Sequence, residues 1–441
     1  MNLYKKIICF VLIIAIASCA LPIGAQEAAA TDLAQIVRLL NDIPRGKRIG
    51  SEDVRTESVA ADFVPKNAIS DLSEVVGSYA AEDLYKGEYV SSSQVSKNAV
   101  RTADPSLLVK PIIESSDDYV IVTDYVIPNT GDDVSYYLQQ IIDKNPKRTI
   151  YFPDGVYTIA YPLTTPAKAT DTVSIRLSDG AVIKAHANWH GEVRSDGRDA
   201  LIRVGATDRA DDFVSVGSYY SVMGGTLDGG SKANGINIEC GLEIVLRDLC
   251  IKNALVGILI KDGVHNSSSC VDVEDVTIIG DGLTGDTGVK VIGYDNTFSN
   301  IRIYNMPVGF AVHDSGGNFI KGVYVKNSSA MLKPRATAGI VVDTSDNWVS
   351  ECYVENCNTA YSLGDRTEIW DCSAVWSSGY CKSQTAFAFK ARAVLSGCRA
   401  DFDFFDGAEC IYRTQTSFIE GAVSDARAGG IDGVSVIPRE K

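Results

Sequence analysis

The chain has 441 residues, 45% apolar and 22% charged, with 38 Gly and 13 Pro, which excludes disordered, collagen-like and coiled-coil chains and suits two or three domains. Asp and Glu outnumber Lys and Arg by 56 to 41, and the formal net charge of −15 repels phosphate backbones, so no nucleic-acid partner is expected. Among the four His, His186 and His190 have HxxxH spacing, but no CxxC pair and no HExxH motif accompanies them, which argues against a zinc enzyme.

Residues 1–25 read as a bacterial-type export signal. Lys5 and Lys6 precede the apolar stretch Ile7 to Ala17, which is short for a membrane span. Two cleavage readings stay open. Ile16-Ala17-Ser18-Cys19 resembles a lipobox, which would make Cys19 the lipid-bearing first residue of a membrane-anchored protein. Ile23-Gly24-Ala25 offers an ordinary signal-peptidase site, which would release the chain. Either route takes the protein out of the cytoplasm, and losing Lys5 and Lys6 makes it more acidic.

Residues 26–100 are Cys-free and Gly-poor. Between Thr31 and Asn41, apolar residues at Leu33, Ile36, Val37, Leu39 and Leu40 follow roughly the helical period, predicting a helix. Ile43-Pro44-Arg45-Gly46, Glu52-Asp53-Val54, Val76-Gly77 and Lys86-Gly87-Glu88 resemble the SAF domain, a small β-rich module of antifreeze-like proteins and of flagellar and pilus assembly chaperones. The resemblance implies a binding or assembly module, with an envelope assembly partner; a spacer is the plainer alternative. Residues 101–118 form a polar linker.

The main body, 119–441, is a repeat. A small residue followed by apolar-x-apolar recurs at Gly235, Gly257, Gly288, Gly309, Gly339, Ala360 and Ala386, at spacings of 22, 31, 21, 30, 21 and 26 residues. Between these copies a polar residue opens a second phrase ending in Asn253, Asn305, Asn327 or Asn356. Short parallel strands coiled into stacked rungs explain both phrases. The expected fold is therefore all-β: a right-handed parallel β-helix with three-stranded rungs. Those four Asn are expected to stack as an amide ladder at one corner.

Two inward columns follow. Leu246, Val273, Phe298, Ile320, Val349, Ile369 and Leu395 form one; Leu249, Val276, Ile301, Val323, Cys352, Cys372 and Cys398 form the other. The three cysteines are then buried small residues, with a stacked disulfide left open.

Gly131-Asp132-Asp133, the amphipathic VSYYLQQIID and TIYFPDGVYTI, with Gly225-Thr226-Leu227-Asp228-Gly229, resemble the pectate lyase superfamily. That resemblance implies a helix capping the first rung and a groove on an outer sheet. It fixes no activity, because the architecture carries lyases, hydrolases, epimerases and adhesins.

One outward column reads Val245, Asp272, Thr297, Phe319, Trp348 and Glu368; its neighbour reads Arg247, Glu274, Ser299, Lys321, Ser350 and Trp370. Solvent-facing Phe319, Trp348 and Trp370 suit the apolar faces of sugars, unless a loop covers them. Asp272 and Glu274 lie about 6.5–7 Å apart along one strand, compatible with the acid and base of an inverting glycosidase; an Arg247–Glu274 ion pair is the plain alternative. Glu239, Lys261, His313 and Asp343 are expected outward, just before acid-rich loops that include His265, Asp295, Asp314, Asp346 and Asp365. By resemblance to pectate lyases, Asp295, Asp314 and Asp346 would hold Ca²⁺. Lys321 or Arg366 would then abstract the proton α to a uronate carboxyl, with Arg247 and His313 binding substrate. The polygalacturonase motifs are missing at rung-compatible positions, so the family's catalytic residues do not transfer. The expected function is binding and cleavage of an extracellular polysaccharide, by a lyase or a hydrolase; a non-catalytic glycan-binding or envelope protein is the alternative.

Overall fold

The computed structural model describes residues 33–389 except 44–46, 62–63, 66, 82–83, 98–104, 115–116, 167–171, 192–199, 207–218, 262–267, 329–336 and 378–382, together with short strands up to 438. The export-signal readings and His265 lie outside the described residues. The chain divides into two compact units, Met1–Val100 and Arg101–Lys441.

In the first unit, Leu33–Leu39 and Val54–Ala60 pair as an antiparallel ribbon. This corrects the helix expected over 31–41. Ile36 and Val37 are β-branched, and the facing VRTESVA segment supplies the backbone partners that override local period. Val37, Leu39, Ile43, Ile49, Val54, Val75, Leu84 and Val90 close a small core. Asp71 caps the short helix Leu72–Val75 by accepting from the Ser73 amide at 2.8 Å. Gly77 and Gly87 take φ of +87° and +89°, turns that glycine adopts without steric cost.

The second unit is a parallel β-helix of three sheets. In each rung the chain passes from the first sheet (for example Phe319–Lys321) to the second (Tyr324–Lys326) and the third (Ala338–Val342). Both expected inward columns are present in register: Leu246 pairs with Val273, and the line continues through Phe298, Ile320, Val349 and Ile369 to Leu395. Leu249, Val276, Ile301, Val323, Cys352, Cys372 and Cys398 are buried as the second column, and its cysteines are free thiols.

The small-residue phrase has a steric cause. A Cβ on Gly235, Gly257, Gly288, Gly309 or Gly339 would lie 2.5–2.6 Å from the carbonyl oxygen of the corresponding residue one rung on. The polar residue opening the second phrase is conformational: Asp248, Asp275, Asn300, Gly322, Glu351 and Asp371 have φ between +51° and +64° and turn the chain from first to second sheet. Asn253, Asn305 and Asn356 likewise hold φ of +48° to +62° at the next corner. They are turn residues and do not form the expected amide ladder; Asn356, for instance, donates to the Asn327 carbonyl at 3.2 Å.

The segment VSYYLQQIID forms the helix Ser135–Lys144, with Tyr137, Leu138, Ile141 and Ile142 buried. Gln139 fixes it against the third-sheet strand Leu163–Pro166: its Nε2 donates to the Thr164 carbonyl at 2.9 Å, and its Oε1 accepts from the Thr164 amide at 2.8 Å. Among the described residues no helix is long and apolar enough to cross a membrane.

Candidate functional site

The outward register of the first sheet is the expected one. Val245, Asp272, Thr297, Phe319, Trp348 and Glu368 are successive partners, as are Arg247, Glu274, Ser299, Lys321, Ser350 and Trp370. Phe319 is 50% exposed and its ring stacks on Trp348 with centroids 4.6 Å apart and planes 8° from parallel. The two rings therefore spend one face each on the other. The open aromatic surface is the far face of Phe319, above the short side chain of exposed Thr297, together with the ring edges. Trp370, in the neighbouring column two rungs from Phe319, does not extend the stack.

The charged groups of this face are largely paired. Glu274 is held by Arg247, Lys321 by Glu351 at 3.1 Å, and Arg366 by Asp346 at 2.9 Å, with Asp365 at 3.7 Å. Asp272 is exposed two rungs from Phe319. The register of this sheet also runs back through Met223 and Arg176 to Tyr151. There a cleft of about 450 Å³ is lined by Tyr119, Tyr151, Arg176, Ser178 and Asp179. Sequence reasoning missed it because the two copies of the outward column were read only from residue 245 onward.

A real amide ladder forms the corner leading into the first sheet. Asn296 Nδ2 donates to Asn318 Oδ1, and Asn318 Nδ2 to Asn347 Oδ1, both at 2.9 Å; all three are fully buried. The signal was available: each Asn immediately precedes the outward Thr297, Phe319 or Trp348. Asp295, Asp314 and Asp346 lie in these same corners with φ of +56°, +48° and +59°. Asp tolerates that left-handed conformation, so part of the acidity of these loops is a backbone requirement. Among the described residues no three His, Cys, Asp or Glu side chains converge as a metal shell. With Asp346 engaged by Arg366, the residues expected for Ca²⁺ do not fit that role.

His313 falls on the third sheet, at the strand end Val308–Val312, one corner away from Phe319. Its Nδ1 lies 2.9 Å from Asp343 Oδ2, with side chains 35% and 29% exposed. Asp343 follows the next strand of the same sheet, Ala338–Val342, and leads by the corresponding corner to Trp348. The structure thus gathers His313, Asp314, Phe319, Asp346, Trp348 and Arg366 around one corner. Asp272, Glu274 and Arg247 lie further down the coil.

Glu239 departs from expectation. It is 2% exposed, and its carboxylate takes a bidentate pair from Arg203, Nε to Oε1 at 2.7 Å and Nη2 to Oε2 at 2.9 Å. Two charges removed from water require each other in this way. The partner was missed because it lies 36 residues earlier, before the recognisable repeats.

A three-sheet parallel coil with a surface aromatic and charged corner defines the class, a β-helix protein with a small N-terminal module. Residues 34–96 match the family described as SAF domain, and residues 232–402 match that described as right handed beta helix region; the chain carries both. No curated protein matches the chain. Among solved structures it is similar to an alginate lyase from Paenibacillus sp. str. FPU-7, at 14% identity and TM-score 0.47, over 65% of this chain and 98% of that one. It is similar to the tailspike protein of E. coli bacteriophage HK620 in complex with a pentasaccharide, at 13% identity and TM-score 0.49, over 73% and 65% of the two chains. A Yersinia enterocolitica family 28 exopolygalacturonase is similar at 10% identity and TM-score 0.41, over 64% and 71%. The activities named are those of these proteins.

Proposed function

We propose that the protein is an exported, polysaccharide-active β-helix protein that seats an extracellular glycan on the outer face of its first sheet and cleaves it. The observation that carries the reading is the half-exposed Phe319 ring, braced from behind by Trp348. What sets this ring apart from other exposed apolar side chains is its parallel stacking on a second aromatic ring of the same sheet, and its flat open face suits the C–H face of a sugar. The cleft at Tyr119, Tyr151 and Arg176 lies on the same face, which suits a chain-like ligand running along the coil. Arg176 has no ion-pair partner among the described residues, and a uronate carboxylate would supply one.

Lyase chemistry, proton abstraction α to a uronate carboxyl, is the preferred reaction, with hydrolysis as the alternative. The pairing of Glu274, Lys321 and Arg366 with neighbours instead favours a second reading, in which this face binds glycan without catalysis. The segment Lys5 to Ala25 supports export, with lipid anchoring at Cys19 or release after Ala25, and the SAF domain would dock an envelope partner. The test is incubation of the protein with polyuronates and neutral glycans. Unsaturated products support the lyase, and new reducing ends without unsaturation support the hydrolase. Binding without product supports the second reading. No binding to any glycan overturns the proposal.

A further inference from the structure

The turn Asp314–Asn318 joins His313 to Phe319, and the turn Thr344–Asn347 joins Asp343 to Trp348. The His–Asp pair and the stacked rings therefore occupy the same two adjacent rungs, on either side of one corner. That corner is stiff. Asn318 and Asn347 cross-link the two turns at 2.9 Å, Asn347 also donates to the Ser345 carbonyl at 2.9 Å, and Thr344 donates to the Ser315 carbonyl. His313, at the end of a third-sheet strand, and Phe319, at the start of the following first-sheet strand, flank this corner.

The pair has the form that proton transfer needs. Nδ1 lies 2.9 Å from the Asp343 carboxylate, a contact that holds the imidazole beside an acid and leaves Nε2 as the nitrogen free to meet a substrate proton. Two lysines share the outer face of the same sheet. Lys290 lies one rung back and two strand positions away, and Lys261 two rungs back in the column of His313. From rung and strand spacings these are Cα separations of about 8 and 10 Å. Neither lysine has an ion-pair partner among the described residues, in a chain whose net charge is −15. Unneutralised cations beside an oriented imidazole suit an acidic sugar.

Building on the lyase reading above, we propose that His313 is the base that cleaves a uronate-containing glycan, that Asp343 positions it, and that Lys261 and Lys290 receive the uronate carboxylate. His313 Nε2 takes the proton from the carbon α to that carboxylate. The C–H electron pair becomes the double bond to the adjacent carbon, whose glycosidic C–O bond breaks. The departing oxygen keeps that bond's electrons and takes a proton from the imidazolium or from water. The products are an unsaturated uronate end and a new hydroxyl, with no oxidant or co-reactant required.

The test uses the full chain with polygalacturonate, alginate and glucuronan as probes, reading unsaturated product by ultraviolet absorbance and retention by affinity electrophoresis. His313→Ala is expected to lower kcat by about 100-fold or more, the usual contribution of a positioned acid or base, with glycan retention unchanged and turnover partly restored by added imidazole. Asp343→Asn is expected to lower kcat with KM little changed, and Lys290→Ala to raise KM. Wild-type turnover by His313→Ala, or loss that imidazole does not restore, overturns the assignment. Wild-type protein that is retained by these glycans but yields no unsaturated product also overturns it, while the glycan-binding reading stands. Failure of retention across all probes removes that reading as well.

Discussion

Asn318 donates through Nδ2 to Oδ1 of Asn347 at 2.9 Å while its own Oδ1 accepts from Asn296. The three amides form a buried seam at the corner shared by the aromatic stack and the His313–Asp343 pair. Replacing Asn318 with Leu leaves the side-chain and backbone N–H donors of Asn296 buried without their acceptor, while Asn347 Oδ1 keeps the backbone N–H of residue 318. Stranding two such groups costs about 2–4 kcal/mol. Urea unfolding is expected to show that loss, and a variant as stable as wild type would show that the seam is not structural.

The rung spacing is expected to be intolerant at the glycine column. A Cβ on Gly288 would meet the Gly309 carbonyl at 2.6 Å and Ile303 Cγ2 at 2.6 Å. Gly288→Val forces backbone apart in a packed core, and destabilisation of about 1–3 kcal/mol or more is expected. The midpoint of thermal unfolding measures it, with Lys290→Ala, at an outward position of the same strand, expected to be nearly neutral.

Much of the coil was legible in the sequence because strand alternation and rung repeat are both strict: a residue's place in the two periods fixes whether it faces core or water. The columns ending at Leu395 and Cys398 were readable for that reason. Corners follow different rules. Asn305 and Asn356 recur because left-handed turns favour Asn, which mimics a ladder in sequence, while the ladder itself is Asn296–Asn318–Asn347. Partners lying in turns, such as Glu351 for Lys321 and Asp346 for Arg366, were invisible to column reading. His313 and Asp343 were both expected outward, yet their contact depends on their standing on neighbouring rungs of one sheet.

Acid stability is expected to depend on Asp281. Burial opposes its charge, but donation from Ser231, Thr284 and the Leu283 amide outweighs burial and holds its carboxyl below the ordinary carboxylate range. A lowered folded-state pKa contributes stability above the unfolded value, about pH 4, and that stability is lost as pH falls further. Asp281→Ala is expected to be less stable than wild type at neutral pH, with the difference shrinking on acidification. A difference constant from neutral to acid pH would contradict this.

The central claim is that the Phe319–Trp348 face holds a glycan. Affinity of wild type, Phe319→Ala and Trp348→Ala for the polysaccharide that wild type retains best tests it most directly. Removing a braced, half-exposed ring is expected to weaken binding about tenfold or more, as for the aromatic centre of a contact surface, while the unfolding midpoint changes little. Unchanged affinity in both variants would contradict the account.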